Sequence, residues 1–187
     1  MPSKENIKGI IIHCSATKPD WMAGHSVEEK RDEIRRWHVE DNGWSDIAYA
    51  SVIDRDGSRA AGRDLDKDGD VYEEIGAHTK GMNDEYGGFC LLGGHGSNEK
   101  DDFFDHFMME QEIAALKEIR AIEEYAGRPL PVHGHNEFAA KACPGFDVRV
   151  WYPEAVKRHE DNPDTPDNDC QQLFDKLMAS IRLKVCK

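Results

Sequence analysis

Apolar and polar positions divide the chain into segments of distinct period. Ile7 to His13 is a nearly continuous apolar run, as in a strand covered on both faces. A loop with Pro19 and Gly24 leads to Ser26-Val27-Glu28-Glu29, a capping box. It opens a helix whose buried stripe is Ile34, Trp37 and Val39 and which Asn42-Gly43 closes. Ala48 to Ile53 alternates as a strand, and Asp56-Gly57 turns the chain into a second one, Ser58 to Ala61. Phe89-Cys90-Leu91-Leu92 reads as a central buried strand. Ile113, Leu116, Ile119 and Ile122 recur near helical spacing between Met109 and Tyr125, and Gly127-Arg128-Pro129 stops that helix. Leu130 to His133 is a further strand, and Asp147 caps a short helix through Val150 and Trp151.

The pattern changes near the C-terminus. Pro153, Pro163 and Pro166, among acidic residues, mark a linker near 159–167. Cys170, Leu173, Phe174, Leu177, Met178 and Ile181 then form the stripe of an amphipathic helix. The expected organisation is a domain over 1–158, with the linker and helix over 159–187. The helix is expected to pack back on the domain, or otherwise to bind a protein partner.

Composition excludes some function classes. Lys and Arg number 24 against 37 Asp and Glu, a formal charge of −13, which argues against a nucleic-acid partner, where cations must meet phosphates. No apolar run approaches the length that crosses a bilayer, so no membrane span is expected. Met1-Pro2-Ser3-Lys4-Glu5-Asn6 leads into a strand pattern with no secretory signal, so synthesis in the cytoplasm is expected. The five cysteines, 14, 90, 143, 170 and 186, are odd in number and scattered, unlike a disulfide framework.

The densest chemistry lies in His133-Gly134-His135 through Lys141-Ala142-Cys143-Pro144. Thiolate and neutral imidazole are good zinc ligands, and Lys141 sets a positive charge beside them. The first strand ends on His13, so the two stretches are expected to meet in one metal site. Spacing alone leaves a plainer alternative open. His135 and Cys143 stand eight positions apart, unlike zinc-finger pairs, and loop histidines with a buried thiol also fit.

Other segments follow in a telling order: His13-Cys14-Ser15-Ala16-Thr17-Lys18-Pro19, Trp37-His38, Gly43-Trp44-Ser45-Asp46-Ile47-Ala48-Tyr49, Arg55-Asp56-Gly57, Gly62-Arg63-Asp64, Gly76-Ala77-His78 with Asn83, and Lys141-Ala142-Cys143-Pro144-Gly145-Phe146-Asp147. From about residue 7 to 152 the chain resembles the zinc-dependent N-acetylmuramoyl-L-alanine amidases, which include amidase lysozymes of T7-like phages and peptidoglycan recognition proteins.

The resemblance implies an α/β fold with a mixed central β-sheet flanked by helices. It implies zinc on His13, His135 and Cys143, with His133 a neighbour, and catalytic roles for Tyr49 and Lys141. His78 and Asn83 match positions lining the family's substrate groove. The implied reaction is hydrolysis of the amide between N-acetylmuramic acid and L-alanine in peptidoglycan, as in a phage endolysin that reaches the wall by a separate route. The alternative on the same fold is a non-catalytic peptidoglycan-binding or protein-binding regulator. Family analogy alone suggests a phage RNA polymerase as a protein partner. Where many relatives carry His after the catalytic tyrosine, this chain has Ala50.

One insert departs from the pattern. Asp64, Asp66, Asp68 and Gly69 occupy positions 1, 3, 5 and 6 of an EF-hand-like loop, with Asp70 beside them. Position 12 is Ile75 in place of a bidentate Glu. A hydrated acidic turn is favoured over a calcium site.

Overall fold

The computed structural model describes residues 3–160, so the amphipathic helix expected over 170–181 and most of the 159–167 linker lie outside the described residues. Five strands form one sheet: β1 (Gly9–Cys14), β2 (Ser51–Ile53), β3 (Arg59–Ala61), β4 (Tyr86–Leu91) and β5 (Val132–Gly134). Their order is β3-β2-β4-β1-β5. β1 pairs in parallel with both β4 and β5, β2 runs parallel to β4, and β3 is an antiparallel edge. The mixed sheet follows from the connections. A tight Asp56-Gly57 turn joins β2 to β3, while helices and long loops carry the parallel crossovers.

All six residues of β1 are buried, which accounts for its unbroken apolar run. β4 begins at Tyr86, earlier than the apolar pattern implies, because Gly87 and Gly88 pair with Ile10 and Ile11. β2 begins later than expected, at Ser51, because the Ala48 N–H goes to His38 Nδ1 at 3.1 Å.

Helix α1 (Val27–Arg36) starts on the anticipated capping box: Glu29 N–H donates to Ser26 Oγ and Ser26 N–H to Glu29 Oε2. Its Val27 and Ile34 pack with Val52, Ala60, Cys90 and Leu92 on one face of the sheet. The chain then widens into a π-helical turn, Trp37–Asp41, which carries His38. Helix α2 (Phe103–His106) has no counterpart in the sequence pattern.

Helix α3 (Met109–Ala126) buries Ala115, Leu116, Ile119 and Ile122. It also buries Gln111, Glu112 and Glu118, each with a partner: Leu92 O, Trp151 Nε1 and Ser51 Oγ respectively. Helix α4 (Val148–Glu160) runs through Pro153, where a stop after Trp151 was expected. Pro153 removes one helical N–H and crowds the carbonyl of Arg149, yet the helix continues to Glu160.

Candidate metal centre

In β1, Gly9, Ile11 and His13 alternate onto one face, in register with Tyr86, Gly88 and Cys90 of β4. His13 is therefore delivered at the C-terminal edge of the parallel strands, beside the start of the loop after β5. That loop opens with a 3-10 turn, His135–Glu137. The Glu137 carboxylate accepts the Gly134 N–H at 2.7 Å and meets His133 Nδ1 at 3.0 Å. His133 is thus drawn to Glu137, while His135 turns inward and is buried. Asn136 N–H donates to Cys143 O at 2.7 Å, closing the loop so that the thiol returns to His135.

His13, His135 and Cys143 bring one ligand atom each within 4.8 Å of one another. The Cys143 sulfur lies 3.8 Å from His13 Nδ1, and the two imidazole centroids are 4.5 Å apart. Burial holds both imidazoles below the ordinary histidine range. Neighbouring His78, His135 and Lys141 push His13 further down, and Lys141 does the same to His135. Their lone pairs are therefore available near neutral pH.

Without a cation, the hydrogen bond with the Cys14 thiol and burial hold the Cys143 thiol well above its usual range. A bound cation reverses that preference by stabilising the thiolate. Two neutral imidazoles and one thiolate suit zinc and not the oxygen-seeking calcium or magnesium, and three protein ligands leave one position open.

Tyr49 packs its ring 5.1 Å from His13 and 5.6 Å from His38. The loop that carries it is clamped: Arg35 pairs with Asp46, and buried Arg63 donates to Ile47 O at 3.1 Å and Ser45 Oγ at 2.8 Å. A Cβ at Gly62 would stand 2.1 Å from Tyr49 O, so only glycine lets the segments approach. Burial, followed by the nearby sulfurs of Cys90, Cys143 and Cys14, pushes the phenol well above its usual range. It stays protonated at neutral pH and so has a proton to donate in a hydrogen bond. Lys141 is exposed on the rim, and its ammonium depresses both histidines of the cluster. Beside it lies a cleft of about 590 Å³, lined by Lys141, Glu99, Lys100, Glu137, Asp147 and Arg149 among others.

His78 and Asn83, matched above to groove positions, lie together in the turn after Gly76. His78 is buried against His13, and Asn83 Oδ1 accepts the N–H groups of His78 and Thr79 at 3.0 and 2.9 Å. Asn83 is thereby the clamp of the turn that carries His78. Arg63, Thr79 and the Cys14 amide are site-forming groups that sequence reasoning missed. Arg63 and Cys14 stood in the motifs Gly62-Arg63-Asp64 and His13-Cys14-Ser15, but Thr79 stood in none.

In the acidic insert, Asp64, Asp66, Asp68 and Asp70 are not gathered as one set. Asp64 and Asp66 converge with Glu74, and Asp66 and Asp68 with Glu73. The Asp68 and Asp70 carboxylates accept the N–H groups of Asp70 and Tyr72, at 2.8 and 2.9 Å, which describes a hydrogen-bonded acidic turn.

Residues 3–146 match the family model described as N-acetylmuramoyl-L-alanine amidase. The chain is 36% identical over 151 residues to the endolysin of Escherichia phage T7, covering 80% of this chain and 87% of that protein. Among solved structures, the N-acetylmuramoyl-L-alanine amidase LysC of Clostridium intestinale superposes with a TM-score of 0.60 at 18% identity, covering 84% of this chain and 87% of that one. Peptidoglycan recognition protein LE, in complex with tracheal cytotoxin, a monomeric diaminopimelic acid-type peptidoglycan, gives 0.59 at 20% identity, covering 80% and 82%. At these identities the two structures establish the shared fold.

Proposed function

The chain belongs to the N-acetylmuramoyl-L-alanine amidase family, and we infer from that membership that it is a peptidoglycan hydrolase of the phage endolysin kind. It cleaves the amide between the lactyl group of N-acetylmuramic acid and the L-alanine of the stem peptide, and its place of action is the cell wall. The observation that carries the reading to this chain's own residues is the convergence within 4.8 Å of His13, at the end of β1, with His135 and Cys143 of the loop after β5.

These three residues would hold zinc. When bound, zinc lowers the pKa of water toward about 7 and polarises a carbonyl. The chain's own groups supply the rest. Hydrolysis of an amide builds negative charge on the carbonyl oxygen, and the Lys141 ammonium on the rim stabilises that charge. Tyr49, held as a neutral phenol, donates a hydrogen bond to the attacking water or to the developing oxyanion. The cleft beside Lys141 carries both signs of charge, which suits a stem peptide with carboxylate and amino groups.

The presence of the thiol ligand Cys143 together with Lys141 and Tyr49 favours catalysis over a binding module. Product analysis on purified peptidoglycan tests the reading. New L-alanine amino termini without new reducing sugars are expected, whereas reducing ends without amino termini would assign a glycosidase.

A further inference from the structure

The His78 imidazole lies in a slot built from missing side chains. A Cβ on Gly76 would stand 2.5 Å from His78 Cδ2, and one on Gly88, in the central strand β4, would stand 2.7 Å from Cε1 and Nδ1. Both glycines have backbone conformations open to other residues, since neither is among the positive-φ positions. The Cβ atoms are excluded by the ring, and the ring is held by bonds at both nitrogens. His78 Nε2 faces the Tyr86 carbonyl at 3.2 Å, and Nδ1 faces His13 Nε2 at 3.0 Å.

Hydrogen-bond direction then assigns the protons. A carbonyl only accepts, so His78 carries its proton on Nε2 and presents a lone pair at Nδ1. His13 must therefore donate from Nε2, because two facing lone pairs would repel. The Thr79 hydroxyl, 3.1 Å from His78 Nδ1 and 3.4 Å from His13 Nε2, has a donor and an acceptor to offer and is compatible with this order. With its proton on Nε2, His13 keeps its lone pair on Nδ1, the nitrogen 3.8 Å from Cys143 Sγ.

We propose that His78 is the positioning residue of the metal centre: through the chain Tyr86 O, His78, His13 it fixes the His13 ring and the tautomer that offers Nδ1 to zinc. This rests on the reading that zinc occupies His13, His135 and Cys143. A neutral imidazole accepting from a ligand histidine does the orienting work that a carboxylate or carbonyl does at other zinc sites, and loss of such a partner costs about 10–100-fold in metal affinity.

The test uses the full chain, with zinc affinity measured by competition against a chromophoric chelator. The wild type is expected to bind one zinc. His78→Leu, which removes the imidazole acceptor of the His13 N–H and leaves it only the Thr79 hydroxyl at 3.4 Å, should bind it about 10–100-fold more weakly. His78→Asn, whose amide oxygen can replace the Nδ1 acceptor, should recover affinity to within a few-fold. Equal affinity for wild type and His78→Leu would overturn the proposal, as would an Asn variant as weak as the Leu variant.

A second measurement does not depend on the variants folding. Nitrogen-15 spectra of the metal-free wild type should give both His13 and His78 as Nε2–H tautomers, and an Nδ1–H form of either ring contradicts the mechanism. A wild type that binds no zinc, yet has these tautomers, would instead sink the metal reading on which the proposal stands.

Discussion

The backbone N–H of Cys14 donates to the sulfur of Cys143 at 3.2 Å, a bond between residues 129 positions apart. It ties the end of β1 to the loop after β5, and an N–H aimed at sulfur favours thiolate over thiol. Cys143→Ala removes a ligand and the acceptor of this bond together. Loss of stoichiometric zinc and loss of peptidoglycan hydrolysis are the expected results, by elemental analysis and by turbidity of cell-wall suspensions. Full activity after exhaustive chelation of the wild type would dismiss the metal from the reaction.

Lys141→Ala should separate binding from turnover. The residue is exposed and donates no ligand, so zinc content should be unchanged. Removing a charge aimed at the developing oxyanion should lower kcat by about 10²–10³. Steady-state kinetics on a soluble muropeptide measures this, and a change confined to KM would restrict Lys141 to substrate binding.

Tyr49→Phe keeps the ring contacts with His13 and His38 and deletes only the hydroxyl. A kcat reduction of about 10²–10⁴ is expected if the hydroxyl takes part in proton transfer. Because burial holds the phenol protonated, the wild-type rate should show no alkaline limb from Tyr49 near neutrality. Equal rates for the two proteins would reduce Tyr49 to a packing residue.

Acid should weaken the metal-free protein through its buried histidines. Burial, reinforced by the nearby His135, holds His78 at about 4, against 6.5 for an ordinary histidine. The unfolded chain therefore takes up this proton first. The stabilising contribution is complete above pH 6.5 and is lost as pH falls through about 4. Urea midpoints of chelated wild type and His78→Asn, compared between pH 7 and 4.5, isolate the effect from the carboxylates. Identical pH slopes in the two proteins would show that His78 titrates normally.

Glu118→Ala probes the scaffold outside the His13, His135 and Cys143 cluster. The Glu118 carboxylate is buried, accepts from Ser51 Oγ at 2.7 Å and pairs with Arg59. Removing one member of a buried pair costs about 3–5 kcal/mol, and the Arg59 end, being partly exposed, moves this toward the lower value. Chemical denaturation measures it, with zinc stoichiometry expected to be retained.

What could be read in the sequence divides by the range of the interaction that sets it. The capping box at Ser26 and Glu29, the unbroken β1 run and the α3 stripe are local patterns, and the elements formed near the anticipated positions. The ligand residues were reached through their motifs, since no local spacing unites His13 with Cys143. The burial of His78 was not legible, because it depends on register. The ring lies on the face of the sheet where Gly88 leaves room, and that adjacency has no signature in the residues around Gly76-Ala77-His78. The length of α4 was not legible either: it runs past Pro153, because the local cost of a proline does not by itself decide where a helix ends.

The parallel pairing of β1 with β5 has a consequence for how the protein is made. Its two strands come from opposite ends of the described chain, and the ligands it brings together, His13 and Cys143, stand 130 positions apart. Pairings of such long range close slowly, because the loop entropy is spent before any contact offsets it. A nascent chain thus carries one of the three cluster residues, His13, while most of the domain is still to emerge from the ribosome. Metal capture then reports that the sheet is finished and contributes little to guiding its assembly, so refolding followed by zinc uptake should lag refolding followed by α3 helicity.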